Sequence, residues 1–442
     1  MTLVTSICWA PRGIAAEQPS LENISDTELE DLRKLVNQTS VDQNTDSPSS
    51  DTSDDEVPSD TIGGMYYNSN TDDPYLTANV SDDDEIHDMK IPANSYILLA
   101  GRVNMPERDG FLEQWTVNPG DQDHPSEVDM HHDRVLRSAP LCVEWMGCGF
   151  VEDKPHLAAV GFMDPGIEIW NLNEIDALEP VAILGPKKHL AISKKRMMKK
   201  RPSKGKVKES GHKGAVLNLS WNTQRQQILA SGGDDGNVLV WDVNSYIEPV
   251  FKFPSSIRHS KPVQTVDWLP CSESIVMSSS FDRNVQIVDL RSNPVNSIRF
   301  KIDSDAESAA WQSLGNSLDS SKVLIGCEDG SITCFDPRQP DRRLFVIDGH
   351  KKSAIIATHP RIPSILVSGG GDKTVKTWKI DGEPTLLHKE NVTENVGEVF
   401  AVKFNQYADD AHSGYLAVGG SKGDVEVFDV FGWKGVFECF KR

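Results

Sequence analysis

Two short constellations in the 442-residue chain carry the residue types of nucleophilic catalysis: His212, Ser231 and Asp235, and again His350, Ser368 and Asp372. Brought together, a serine, a histidine and a carboxylate could activate a hydroxyl for acyl transfer. Each set ends in a tryptophan, Trp241 and Trp378, placed 29 and 28 residues after its histidine. Acids recur at the same turn position at Asp164, Asp282 and Asp329, as repeated structural bonds do and a single active site does not. The expected role is a buried, mutually satisfied set of hydrogen bonds, and the chain is not read as an enzyme.

Other candidate chemistry is sparse. His131-His132-Asp133 invites a metal, but no further ligands follow at regular spacing, so a strand-edge motif is expected and no metal site. The glycine runs at 232–233 and 369–371 read as strand ends and turns, not as a phosphate-cradling loop, and no cofactor is expected. Seven cysteines, Cys8, Cys142, Cys148, Cys271, Cys327, Cys334 and Cys439, are odd in number and scattered without a C-x-x-C. That usage fits a reducing, intracellular setting. Met1–Gly13 lacks the basic start and apolar run of a signal peptide, and apolar stretches such as Ile97–Ala100 are far too short to span a membrane.

Charge divides the chain unevenly. Of a net −21, residues 1–90 hold twenty Asp and Glu against four Lys and Arg. An excess of that size argues against generic duplex binding. Residues 38–88 are rich in Ser, Thr, Asp and Asn and are expected to be disordered. Just before them Ser25 and Glu28 form a capping box, Ile24 and Leu29 a hydrophobic staple, and Leu29, Leu32 and Val36 one face, which predicts a short helix near 26–37. Ser53 and Ser81, each followed by acids, are candidate phosphorylation sites. In the opposite sense, residues 187–208 hold eleven Lys and Arg and no acid. Lys194, Lys195, Arg196, Lys199, Lys200 and Arg201 are its densest part, readable as a localisation signal, as an RNA-phosphate contact or as a solvated linker.

A period positions all of these. Short apolar strands end at Trp115, Trp170, Trp241, Val288, Phe335, Trp378 and Phe428, and the last five intervals are 71, 47, 47, 43 and 50 residues. The long interval contains the basic insertion. A second series runs about twenty residues upstream: Trp145, Trp221, Trp268, Trp311, His359 and Phe404, with Trp9 supplying the member for the first unit. Between the two series lies a strand of small residues, such as HLAAVG, QILASGG or YLAVGG. Four antiparallel strands per unit at this spacing predict propeller blades, whose faces are buried only by stacking on neighbours. The expected architecture is all-β: a seven-bladed propeller with residues 1–10 as the inner strand of the first blade, 11–94 as a mostly disordered acidic insertion, and 95–442 as the rest of the ring, with the basic loop 187–208 between the second and third blades. Units lacking the histidine or the tryptophan are expected to be less tightly tied.

These repeats resemble WD-repeat proteins: Gly211-His212, Ser231, Asp235 and Trp241-Asp242, and Gly349-His350, Ser368, Asp372 and Trp378, match the family's polar signatures and map its buried tetrad. Within that family, SICWAPRG, GGMYYN, DDPY, PLCVEW, GFMDPGIEIWNL and GHKGAVLNLSWN resemble the periodic-tryptophan branch, although Val288, Phe335 and Phe428 depart from a strict pattern. The resemblance implies a non-enzymatic scaffold in large (60S) ribosomal subunit assembly and rRNA processing, in the nucleus and nucleolus. Its implied partners are pre-ribosomal assembly factors and ribosomal proteins, with pre-rRNA reached through the basic loop, the chain being a monomer within a larger complex. An alternative implication is a chromatin-associated, histone-binding propeller that regulates transcription.

Overall fold

The computed structural model describes residues 2–16, 90–119, 127–146, 156–175, 177–185, 211–245, 248–270, 272–292, 297–313, 321–409 and 412–440. The chain divides into two units, residues 1–19 with 91–442, and residues 20–90. Apart from Lys90 the second unit lies outside the described residues, as do the helix expected near 26–37, the basic loop 187–208 with all six of its candidate signal residues, Ser53 and Ser81.

In the first unit, short β-branched and apolar strands pair with their sequence neighbours into seven antiparallel sheets. The first contains β1 (Thr2–Ala10), β2 (Tyr96–Asn104), β3 (Asp109–Asn118) and β4 (Glu127–Leu136); the second β5 (Pro140–Met146), β6 (Leu157–Phe162), β7 (Ile167–Asn171) and β8 (Ala182–Leu184). The third holds β9 (Val216–Trp221), β10 (Ile228–Gly233), β11 (Val238–Asp242) and β12 (Phe251–Lys252); the fourth β13 (Val263–Trp268), β14 (Ile275–Ser280), β15 (Asn284–Asp289) and β16 (Ser297–Lys301). The fifth holds β17 (Ala306–Ser313), β18 (Ser321–Cys327), β19 (Ser331–Phe335) and β20 (Arg343–Asp348); the sixth β21 (Ala354–Thr358), β22 (Ile365–Gly370), β23 (Thr374–Lys379) and β24 (Thr385–Asn391). The seventh has β25 (Val399–Phe404), β26 (Tyr415–Gly420) and β27 (Val425–Asp429), followed by a short helix α1 (Lys434–Cys439).

The first strands of successive sheets touch in sequence order, and β25 touches β1, so the sheets close into a seven-bladed propeller. Its core is not one mass. Among the described residues it divides into seven clusters, each made of the facing sides of two adjacent blades. Second strands are therefore buried on both faces, as in β6 and β26, where every residue is buried. This explains the small residues. A Cβ at Gly161 would stand 2.9 Å from Val216 Cγ1, one at Gly232 2.7 Å from Val266, one at Gly369 2.5 Å from Val399, and one at Gly419 2.5 Å from Val4. In each case the nearby valine belongs to the next blade's inner strand, so blades approach too closely for a side chain. Gly419→Val is expected to cost about 1–3 kcal/mol by overpacking, read by urea unfolding. Gly432→Val, which meets nothing within 4 Å, is the comparison, and equal costs would refute this packing account.

The ring closes without a shared sheet. β1 pairs with β2 from Thr2↔Asn104 to Ala10↔Ile97, so the N-terminal strand completes the first blade and meets the seventh only by its face. The expectation of four strands in every unit fails at the last. Among the described residues its sheet has three, because the chain after β27 turns into a 3-10 turn at Val430–Gly432 and then α1.

Candidate functional site

The residues singled out for chemistry come together in the third and sixth blades. His212 Nδ1 lies 3.1 Å from Asp235 Oδ1, His212 Nε2 2.7 Å from Ser231 Oγ, and Trp241 Nε1 donates to the same hydroxyl at 2.8 Å. In the sixth blade the distances are 2.9 Å for His350–Asp372, 2.8 Å for His350–Ser368 and 2.8 Å for Trp378–Ser368. A carboxylate only accepts, so Nδ1 carries the proton, Nε2 accepts from the hydroxyl, and the hydroxyl oxygen accepts from the indole. Every buried polar atom in the chain of bonds is thereby satisfied. Burial raises the Asp235 carboxyl, but the hydrogen bonds it accepts from His212, Asn237 and Lys213 outweigh it and hold the group below the usual range. Ser231 and Ser368 have no exposed surface, so neither hydroxyl can meet a substrate.

A third set is present that the Gly-His signature misses. His259 Nδ1 lies 3.0 Å from Asp282 Oδ2, and its Nε2 lies 2.9 Å from Ser278 Oγ. Burial pushes Asp282 up, the hydrogen bonds it accepts from His259, Ser260 N and Asn284 N pull it further down, and the result is about 2. The signal was the spacing: 23 residues separate the histidine and aspartate here, as they do His212 and Asp235. Val288 stands where a tryptophan would donate, so the fourth-blade set is a triad. Of the other turn acids, Asp329 accepts from Ser331 at its own turn, and Asp164 is exposed.

The first two blades tie their tryptophans differently. Trp115 Nε1 donates to Glu113 Oε2 at 3.1 Å, and Glu113 pairs with Arg102 at 2.5 Å. Trp170 Nε1 donates to Glu168 Oε2 at 3.2 Å, and Glu168 pairs with Arg137 at 2.6 Å. Both glutamates are buried, and both carboxyls are raised by that burial despite the arginine beside them. These blades lack the histidine yet leave no indole N–H unsatisfied. The clue in LEQW and IEIW is a glutamate two residues before the tryptophan.

Three tryptophans of the second series tie neighbouring blades together, while Trp145 donates to His156 within its own blade at 3.1 Å. Trp268 Nε1 donates to the Ser220 carbonyl at 3.1 Å, Trp311 to the Asp267 carbonyl at 3.3 Å, and Trp9 to the Lys403 carbonyl at 3.0 Å. Each bond runs from one inner strand to the preceding blade's inner strand. The last of them spans the closure of the ring.

Inner strands of all seven blades line a central channel of about 860 Å³. Facing it are Glu144 from the second blade, Asp267 from the fourth and Lys403 from the seventh. Burial raises Glu144 against the pull of Lys403. Asp267 rises to about 7 through burial, helped by the Glu144 charge and opposed by Lys403 and by the Ser220 hydroxyl 3.3 Å away. A carboxyl raised in the folded state holds its proton more tightly there than in the unfolded chain. Folding stability therefore falls as pH climbs from roughly 4 toward the folded value. Asp267→Asn is expected to unfold at higher urea than the parent at about pH 8 and to lose that pH dependence; a variant weaker than the parent at that pH would refute the assignment.

His131, His132 and Asp133 lie on the outer strand β4, with the two imidazole Nδ1 atoms 2.8 Å apart. Burial, with the neighbouring His131, lowers His132 to about 4. No group of three metal-ligating side chains occurs among the described residues, and none of their helices is long and apolar enough to cross a membrane. Cys8, Cys142, Cys327 and Cys334 are buried free thiols and Cys439 an exposed one, while Cys148 and Cys271 lie outside the described residues.

Seven radial sheets, the third and sixth tied by complete His-Ser-Asp-Trp sets, make a β-propeller, and residues 205–242 match the family model for the WD domain, G-beta repeat. The particular likeness is to periodic tryptophan protein 1. The chain is 27% identical to the periodic tryptophan protein 1 homolog of Drosophila melanogaster over 95% of its own length and 92% of the relative's. It is 24% identical to periodic tryptophan protein 1 of Saccharomyces cerevisiae over 99% and 90%. A shorter likeness, 25% identity over 42% of this chain and 43% of the relative, is to histone acetyltransferase type B subunit 2 of Candida glabrata.

Proposed function

We propose that this chain is a non-catalytic scaffold that assists large (60S) ribosomal subunit assembly and rRNA processing in the nucleolus. The observation that carries the reading is the likeness to periodic tryptophan protein 1, which runs through the acidic segment and every blade and is not confined to the common repeat. The buried hydroxyls of the tetrads support a role without chemistry, since fold alone supplies surfaces and not a reaction. Its partners would be pre-ribosomal assembly factors and ribosomal proteins, with the chain a monomer inside their complex. The basic residues Lys194–Arg196 and Lys199–Arg201 would direct nuclear import or touch pre-rRNA phosphates.

A second reading, a chromatin-associated propeller that binds histones and regulates transcription, draws on the partial likeness to a histone acetyltransferase subunit. It rests on less than half of the chain. Depletion followed by analysis of rRNA precursors separates the two. Accumulation of large-subunit precursors at unchanged rRNA synthesis supports assembly. Unchanged precursors, with histones recovered on affinity purification of the chain, would replace the first reading with the second.

A further inference from the structure

Among the described residues the seventh blade is one strand short, and the outer edge of β27 is paired with none of them. Because Val430 N donates to the Gly414 carbonyl at 3.0 Å, the alternation of an antiparallel ladder turns the backbone groups of Glu426 and Phe428 toward β26. Those of Val425, Val427 and Asp429 point outward, the Val425 N–H donating to Asp424 Oδ1 at 2.9 Å. In the sixth blade the equivalent groups of Val375 and Thr377 are paired with β24, opposite Glu390 and His388. No described strand does this for β27. The chain that could have done so is diverted: α1 packs on β24, where Gly435 lies against the Leu387 carbonyl and Trp433 stacks on His388 with ring centroids 4.6 Å apart.

What would fit the edge follows from its side chains. Val425 and Val427 face the layer shared with the first blade, and Phe428 the layer shared with the sixth. Glu426, on the Phe428 face, has the Asp424 and Glu390 charges beside it and accepts a bond from Thr393 N at 3.3 Å. β27 itself contains two acids and no base. Cross-strand neighbours share a face, so an added strand needs β-branched residues beside the valines and a cation beside Glu426. A second copy of the same edge would set acid against acid.

We propose that the outer edge of β27 is a strand-addition site for an extended segment of a basic protein, with β-branched residues over Val425 and Val427 and a Lys or Arg beside Glu426. The site stands apart from the scaffold reading, which survives its loss. The test uses the full chain and a labelled peptide alternating valine and lysine, followed by fluorescence anisotropy and by hydrogen exchange. Saturable binding is expected, with exchange at the Val427 amide slowed about tenfold or more. Glu426→Lys should weaken binding by about tenfold, as should N-methylation of the peptide's lysine-free edge amides. Val427→Pro should do the same, and the methylated peptide on the parent protein keeps the test sound if that variant misfolds. No saturable binding, undiminished binding of the methylated peptide, protection elsewhere than β27, or self-association through this edge would each overturn the proposal.

Discussion

A chain lacking Thr2–Ala10 will lose its cooperative thermal transition. β1 is the inner strand of the first blade, and it also forms one wall of the interfaces with the second and seventh blades. Removing it leaves β2 with an unpaired edge and exposes Gly419, Leu98 and Tyr96, which now pack beneath Val4, Ile7 and Trp9. No sheet bridges the closure, so without β1 the two ends of the ring are left to side-chain contacts such as Asp409 N on the Tyr96 hydroxyl and Tyr96 against Tyr415. Trp9→Ala isolates part of this effect. It deletes a side chain only 2% exposed and the indole bond to the Lys403 carbonyl, and a loss of about 3–5 kcal/mol is expected. Differential scanning calorimetry should show a single transition for the parent and a broad or absent one for the deletion. An unchanged transition would mean that the ring closes by other contacts.

Ser231→Ala should cost about 2–4 kcal/mol, although it removes a single oxygen. The change strands two buried groups at once, the Trp241 indole N–H and His212 Nε2, in a site with no water-exposed surface at the hydroxyl. Each unsatisfied group carries about 1–3 kcal/mol of desolvation penalty. Ser255→Ala, at an exposed position, should change stability by less than about 0.5 kcal/mol. Urea midpoints for the two variants make the comparison, and equal midpoints would show that the hydroxyl relay contributes nothing. Ser368→Ala should repeat the result in the sixth blade, since the geometry is the same.

The tetrads and the repeat were legible in the amino-acid order because both are local. A strand of five or six residues, a turn and the next strand occupy a fixed length of chain, so His212, Ser231, Asp235 and Trp241 reach one another within a single blade and recur at His350. Seven units, the small-residue second strands and the acidic N-terminal fifth follow from the same linear bookkeeping. His259 and the Glu-Arg ties of Trp115 and Trp170 were also written locally, but with substitutes that the usual signature does not include.

What remained hidden was everything contributed by a different blade. That Trp268 and Trp311 bond the preceding inner strand, that Glu144, Asp267 and Lys403 share one channel, and that Gly419 must stay bare for Val4 are facts about residues tens to hundreds of positions apart. Their meeting is set by how closely the sheets pack, and packing distance is not encoded in spacing. The open edge of β27 belongs to the same class. The chain order shows that residues follow it; only the folded ring decides that they cover β24 instead, because Trp433, Val436 and Phe440 find their apolar partners there and in the layer between the sixth and seventh blades.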